Sequence, residues 1–484
     1  MAQGTYSKED ATLFPTDDPT LISFDYGAPG PDLLPVKLIP IAAQTRFARD
    51  DADHVLQYGP VLGDKEFRVE LARFLTKEYD NVPVNYENLA VTSGATQSFF
   101  NIITLFTHSK TIFLVEDPTY FLAIRMLADH GVSGDRLIPI PTDEHGLQVD
   151  AVAETLSRLS STQSDSCPPG RYPYLLYLVP NHNNPTGSTL TSTRREQLVQ
   201  LARKHNVLVV CDDVYNLLHY DSTTPPPKRV VAYDDLKGSG NVISNCSFSK
   251  IFAPGVRVGW IEAAAGIIKR LAGSGVMYSG KHRYDSYHVK TVMSKPLSLG
   301  GSPNHMTTGL LTSLFQTSHF SQNLASLRTT YATRMHAMIT TLQTHLPPTA
   351  HLVPPKGGYF IWITLPPHIN TTQLKQALFS SSTTTNPAFP SLVKERLSFK
   401  PGSEFSLKGD TCQNCLRLSF AYYDVSLLVE GWFFAGLVFF KDGVLEKVVD
   451  RNGFTFWCVI ADHLAIVYFN YANAPLNVQL ALVP

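Results

Sequence analysis

Four short apolar runs constrain this chain most: Thr111–Val115 (TIFLV), Tyr174–Val179 (YLLYLV), Val207–Val210 (VLVV) and Val258–Ile261 (VGWI). In each, successive positions are apolar rather than alternate ones, the pattern of a strand buried on both faces. Helical patterns fall between them. Thr193, with Glu196 three residues on, reads as a capping box that opens a helix running to Leu201. Buried strands alternating with helices predict an α/β fold, with a mostly parallel central sheet and helices on both faces.

The chain has 484 residues, enough for two or three folding units. Residues 1–60 carry a Pro- and Gly-rich stretch (GAPGPDLLP, 27–35) and read as an extended N-terminal arm with short helices, contributing to the smaller unit. Residues 61–304 form the expected large α/β domain, and residues 305–430 a small C-terminal α+β domain. The polar stretches Ser222–Pro227 and Ser380–Ser391 read as surface loops.

Composition excludes several classes. An apolar fraction of 44% supports a large core, and 40 Lys and Arg against 41 Asp and Glu leave no basic footprint for nucleic acid. No run of 18 uncharged apolar residues occurs, so no membrane partner is expected. The first residues, MAQGTYSKEDATLFPTDD, lack the apolar core of a secretory signal and are too acidic for a good transit peptide. A cytoplasmic protein is the default, with a mitochondrial address left open. Six cysteines over this length do not make a disulfide scaffold. Cys412 and Cys415 form one C-x-x-C with no second pair or His pair at zinc spacing, so a plain loop and no metal is expected, with zinc or redox chemistry as the alternative.

The chemistry concentrates at strand ends. Ser247–Trp260 (SFSKIFAPGVRVGW) puts Lys250 in a Ser-rich turn, with Arg257 seven residues on. A lysine amine can hold an aldehyde cofactor and later move a proton. Ser247, Ser249 and Arg257 supply donors for a doubly charged phosphate. Read alone, the stretch could equally be a surface Lys–Arg loop. Asn184-Pro185-Thr186-Gly187 and Asp212-Asp213-Val214-Tyr215, however, follow two of the apolar strands, where strand ends open a ligand crevice. An Asp there can keep a pyridine nitrogen protonated, and an Asn amide and Tyr hydroxyl can hold a phenolic oxygen. The alternatives are an ordinary turn and a loop carboxylate, but their order and spacing with Lys250 argue against coincidence. Thr92–Gln97 (TSGATQ) joins a strand to a helix, whose N-terminal N–H groups suit a phosphate.

With these motifs the chain resembles the class I/II aminotransferases, pyridoxal-5′-phosphate (PLP) enzymes of fold-type I. The 2-aminoadipate/kynurenine aminotransferase-like subgroup is the nearest in flavour. The resemblance rests on LQYG (56–59), TSGATQ (92–97), EDPTY (116–120), PNHNNPTG (180–187), DDVY (212–215), SFSKIFAPGVRVGW (247–260), GGSPNH (300–305), PKGGYFIW (355–362) and RLSFAY (417–422). It implies roles by position. Lys250 holds the cofactor in a Schiff base, Asp212 binds its ring nitrogen, and Asn184 and Tyr215 its phenolic oxygen. Tyr120 stacks on the ring, although a core aromatic after a Pro turn is the competing reading. Ala95, Thr96, Ser247 and Arg257 hold the phosphate, and Tyr58 reaches the phosphate of a partner subunit, implying a homodimer. Arg417 forks onto the substrate α-carboxylate, with a strand-edge surface Arg as its alternative. Asn184 is also counted with the substrate site.

Two stretches depart from the family pattern. MYSGKHRYDSYHVKTVMSKPL makes 276–297 an atypical insertion, and 431–484 is an apolar, strand-like tail in place of an amphipathic final helix. Both suggest gene-model artefacts, with a lineage insertion and an interaction tail as alternatives. The expected reaction is transfer of an amino group between an L-amino acid and a 2-oxo acid. Another fold-type I reaction (lyase, decarboxylase or synthase) is the alternative among enzymes, and a non-catalytic PLP-binding relative is a third reading. A PLP-binding DNA regulator would need a helix-turn-helix domain, for which the first 60 residues are too short and too rich in Pro and Gly. Acidic, aromatic and long aliphatic substrates all stay open.

Overall fold

The four apolar runs become inner strands of one eight-stranded sheet in the computed structural model. It describes residues 22–160, 167–274, 303–346, 348–379 and 397–429, and the backbone of four strands beyond Val444. In chain order the strands of the large sheet are β1 (Leu89–Thr92), β2 (Ile112–Asp117), β3 (Leu137–Asp143), β4 (Gly146–Leu147), β5 (Tyr174–Leu178), β6 (Val207–Asp212), β7 (Val242–Ser247) and β8 (Gly259–Ala263). Their spatial order is β1-β8-β7-β6-β5-β2-β3-β4. The run from β3 to β7 through β2, β5 and β6 is parallel, and β1, β4 and β8 pair antiparallel at the flanks.

Strand β5 shows why the runs are continuous. Leu175, Tyr177 and Val179 join the core on one face, and Tyr174, Leu176 and Leu178 the core on the other. Alternate side chains point to opposite faces, so a strand covered on both sides has no solvent position to fill with a polar residue.

The helix Ser192–His205 starts at a different cap from the one expected. Thr191, not Thr193, takes the cap conformation and accepts from Arg194 N at 3.4 Å. Buried Arg195 decides the start: its Nε donates to Leu190 O, and its Nη2 to Pro180 O and Asn181 Oδ1. Those bonds require the first turn to be wound by then, which makes Thr193 a helical residue. Asn206, left-handed at φ 52°, closes the helix.

A smaller antiparallel sheet holds β9 (His351–Leu352), β10 (Phe360–Thr364), β11 (Lys400–Pro401) and β12 (Cys415–Ser419), in the order β9-β10-β12-β11. The N-terminal segment is woven into it. Phe24 N donates to Ser398 O at 2.8 Å, and Phe24 O accepts from Ser419 N at 2.9 Å. This lays Asp25–Ala28 beside β12. The tail is strand-forming, as its pattern suggested: Val444–Val449, Thr455–Ala461, Leu464–Phe469 and Val478–Leu482 pair in sequence as an antiparallel meander. The atypical insertion at 276–297, the polar stretch Ser380–Ser391 and the apolar run at 431–443 lie outside the described residues. Among the described residues, no helix is long and apolar enough to cross a membrane.

Candidate active site

A cavity of about 600 Å³ opens at the C-terminal ends of β5, β6 and β7. In an open parallel sheet this is where backbone and side chains diverge enough to admit a ligand. Asp212 is the last residue of β6 and Ser247 the last of β7, while Asn184 lies in the loop after β5. Together with Ala95, Thr96, Tyr120, Tyr215, Lys250, Arg257 and Arg417, they line this one space. Tyr58 does not. It is 77% exposed, and the cavity of its own chain is lined without it.

The phosphate end depends on a close approach of two backbones, the turn after β1 and strand β8. Gly94 ends the turn after β1 at φ +98° and caps the helix Ala95–Phe106. A Cβ there would sit 2.9 Å from Arg257 Nη2, and a Cβ on Gly259 2.9 Å from Gly94 Cα. A side chain at Gly259 would push β8 off the turn, while one at Gly94 would strain its left-handed backbone and displace the Arg257 guanidinium. The approach lets Arg257 Nη2 donate to Ser93 O at 3.2 Å, and Nη1 to Pro254 O at 3.0 Å. Ser247 Oγ donates to Ser249 Oγ at 2.9 Å. Helix N–H groups, two hydroxyls and a guanidinium thus converge at one end of the cavity.

The two adjacent carboxylates have opposite surroundings. Asp213 is saturated: Oδ1 accepts from Asn181 Nδ2 at 2.8 Å and Oδ2 from Ser244 Oγ at 2.5 Å. Asp212 Oδ2 accepts from Tyr177 OH at 2.7 Å, while Oδ1, also buried, has no partner among the described residues. Burial pushes the Asp212 carboxyl up to about 6, with the Tyr177 hydrogen bond pulling it down. An unpartnered buried carboxylate oxygen in a cavity calls for an N–H donor carrying positive charge.

Lys250 Nζ donates to Gly27 O at 2.5 Å. Burial, then the charge of Arg417, brings its amine down to about 8. Arg417 lies on an interior strand of the smaller sheet and is 2% exposed, so it is no surface residue. Its Nη1 donates to Asn184 Oδ1 at 2.8 Å and its Nη2 to Asp25 O at 2.7 Å. The guanidinium stacks 4.0 Å from the Phe360 ring centroid, and Nε has no partner among the described residues. Burial lowers it to about 10, so it stays cationic at neutral pH. Both acceptors are neutral, and no described carboxylate pairs with it. This buried cation therefore lacks the counter-ion that burial normally demands.

Several residues that line the cavity or support its lining were not singled out in the sequence. Asp25, Tyr26, Gly27 and Ala28 lie in the N-terminal arm, where no motif marked them, and its pairing with β12 brings them here. Tyr177 carried a usable signal: with period 2 it shares a face with Val179, at the end that opens the cavity. Glu116, in the EDPTY stretch, is buried and accepts from Val179 N at 2.6 Å and Asn183 Nδ2 at 2.8 Å, which holds the loop that carries Asn184. Burial raises its carboxyl well above the usual range.

The family model for aminotransferase class I and II matches residues 31–428. The aromatic-amino-acid aminotransferase 1 of Thermococcus litoralis is 27% identical over 424 residues, 88% of each chain. The 2-aminoadipate transaminase of Thermus thermophilus is 28% identical over 418 residues, 86% of this chain and 89% of its own. The solved structure of an α-aminoadipate aminotransferase from Thermus thermophilus, complexed with N-(5′-phosphopyridoxyl)-L-leucine, superposes with a TM-score of 0.66 at 25% identity, covering 87% of this chain and 92% of that one. Matched over most of its length, the chain belongs to the class I and II aminotransferases, and it is a PLP-dependent transaminase of fold-type I.

Proposed function

We propose that the cavity is the transaminase active site, with Lys250 as its amine, Asp212 as the partner of the cofactor's ring nitrogen and Arg417 as the reader of the substrate α-carboxylate. One observation carries this reading: Lys250, the unpartnered Asp212 Oδ1 and the counter-ion-free Arg417 all line the same space. The cofactor fits the donor set. Asp212 Oδ1 would accept from its pyridine nitrogen, Asn184 and Tyr215 would face its phenolic oxygen, and Tyr120 its ring. Ala95, Thr96, Ser247 and Arg257 would hold its phosphate. When bound, it supplies an electron sink next to the substrate α-carbon.

The chain's own residues do the rest. The Lys250 amine would take the proton from the substrate α-carbon and deliver it to the cofactor's aldehyde carbon, and a pKa of about 8 suits both transfers. Asp212 holds a negative charge in a low-dielectric site, where it acts most strongly. Arg417 fixes the carboxylate and so the orientation of the α-C–H bond. Purified protein with PLP, tested against amino donors and 2-oxo acids by cofactor absorbance, checks the reading. Donors should include aromatic and acidic ones, because the lining holds Phe121 and Tyr26 as well as Arg125 and Lys400.

Arg417→Lys should raise the apparent binding constant of every amino acid and every 2-oxo acid alike. A lysine offers one point charge and cannot match both carboxylate oxygens. The expected loss is about 2–5 kcal/mol of transition-state binding. PLP should still bind, since Arg257 and the serines are untouched. Steady-state kinetics on two unlike donors, with the cofactor spectrum, decide it. A loss confined to acidic donors would mean that Arg417 reads the side chain.

The active unit should be a homodimer. Tyr58 is exposed in its own chain and falls to a neighbour's phosphate in this reading. Light scattering on active enzyme tests this, and a fully active monomer would refute it.

A further inference from the structure

Outside the cavity, three metal-type ligands meet at the junction of three elements. Asp64 caps the helix Lys65–Glu78, with Oδ1 accepting from Phe67 N at 3.0 Å, which leaves Oδ2 clear of the cap. His54 is exposed on the short turn Ala52–Leu56. His305 opens the helix His305–Gln316 and is 6% exposed. One ligand atom from each lies within 4.8 Å of the others.

His305 is also in the right tautomer. Its Nδ1 lies 2.9 Å from Gln57 O, and a carbonyl can only accept, so Nδ1 carries the hydrogen. In the neutral ring Nε2 then keeps its lone pair. That atom is buried and has no hydrogen-bond partner among the described residues. Asp64 Oδ2, at 4.0 Å, is beyond hydrogen-bond reach, and the His54 ring lies edge to face with that of His305, 5.0 Å between centroids. An imidazole tied to a carbonyl through one nitrogen, with the other lone pair aimed at further ligands, is how proteins present histidine to a metal.

We propose that His54, Asp64 and His305 form a binding site for a divalent transition-metal ion, Zn²⁺ first, separate from the transaminase cavity. Two imidazoles and one carboxylate suit Zn²⁺ over Mg²⁺ or Ca²⁺, which prefer oxygen. Zinc bonds of about 2.0–2.2 Å in a tetrahedron put ligand atoms about 3.4 Å apart, so separations of up to 4.8 Å must close by as much as about 1.4 Å. Exposed His54 on its short turn can supply that movement, and water fills the remaining position. The ion would pin the turn to both helices. Through the Gln57 carbonyl it would also brace the residue next to Tyr58.

The test uses untagged, metal-stripped holoenzyme titrated with ZnCl₂ by calorimetry and with Co²⁺ by visible absorbance. Wild type should bind one Zn²⁺ per chain, show ligand-field bands with Co²⁺, and melt at higher temperature as zinc is added. Asp64→Asn keeps an oxygen to cap Phe67 N but loses the anionic ligand, and His54→Ala alters only an exposed side chain. Each should keep the cofactor spectrum and weaken zinc by about 100-fold. Absence of saturable binding in wild type overturns the proposal. So does zinc affinity unchanged in both variants, which would place the metal on the cofactor or elsewhere on the surface.

Discussion

Lys250→Ala should abolish transamination, with a fall on the order of 10³-fold or more, since both covalent capture and proton transfer are lost. PLP should still bind noncovalently through the phosphate contacts, and borohydride should fix it to wild type but not to the variant. Fixation to another lysine would refute the assignment. The same residue sets a pH dependence. With its amine at about 8 rather than the usual value, roughly one Lys250 in ten is neutral at pH 7. The rate at which apoenzyme captures PLP should therefore climb with pH and level off above about 8. A rate that keeps climbing about tenfold per pH unit, with no plateau by about pH 9, would show that the amine is not depressed.

Asp212→Asn should cost about 10²–10³-fold in activity, the range for removing one preorganised electrostatic partner. Asn cannot supply the negative charge that keeps a pyridine nitrogen protonated. Stability should move the other way. The folded pKa of about 6 lies above the unfolded value, so the buried carboxylate is disfavoured in the folded apoenzyme. That cost is absent below about pH 4, grows through the interval to pH 6 and is complete above it. At pH 7 the Asp212→Asn apoenzyme should therefore melt no lower than wild type. Asp213→Asn should do the reverse. Both its oxygens accept hydrogen bonds, and an amide would turn a donor toward a donor, costing about 1–3 kcal/mol of stability. Kinetics and thermal melts on both variants separate them. Equal activity losses, or the larger one at Asp213, would show that the wrong carboxylate was chosen.

The contrast between these neighbours marks a boundary of sequence reading. Asp212 and Asp213 are adjacent and chemically identical, and local pattern favours Asp212 only through its spacing to Tyr215 and the family resemblance. Side-chain alternation sends them to opposite faces of β6's end, and what waits there is tertiary: Asn181 and Ser244 for one, an open cavity for the other. The same holds for Arg417. A strand in RLSFAY is legible, but the arginine's exchange with Asp25 O joins residues 392 positions apart.

Local physics determined the central sheet, because a strand covered on both faces must be apolar at every position and a helix between strands must show its own period. It also put the Ser-rich lysine turn, the NPTG loop and the DDVY step at strand ends, since Gly, Pro and Asn mark where the backbone turns. Tertiary structure alone decided where the helix after β5 begins, because buried Arg195 outweighed the Thr193–Glu196 cap. It likewise brought Asp25–Ala28 into the active site and set His54, Asp64 and His305 face to face. Such meetings depend on sheet register and on helices packing over long chain separations. No window of sequence contains both partners, so only the folded chain could bring them together.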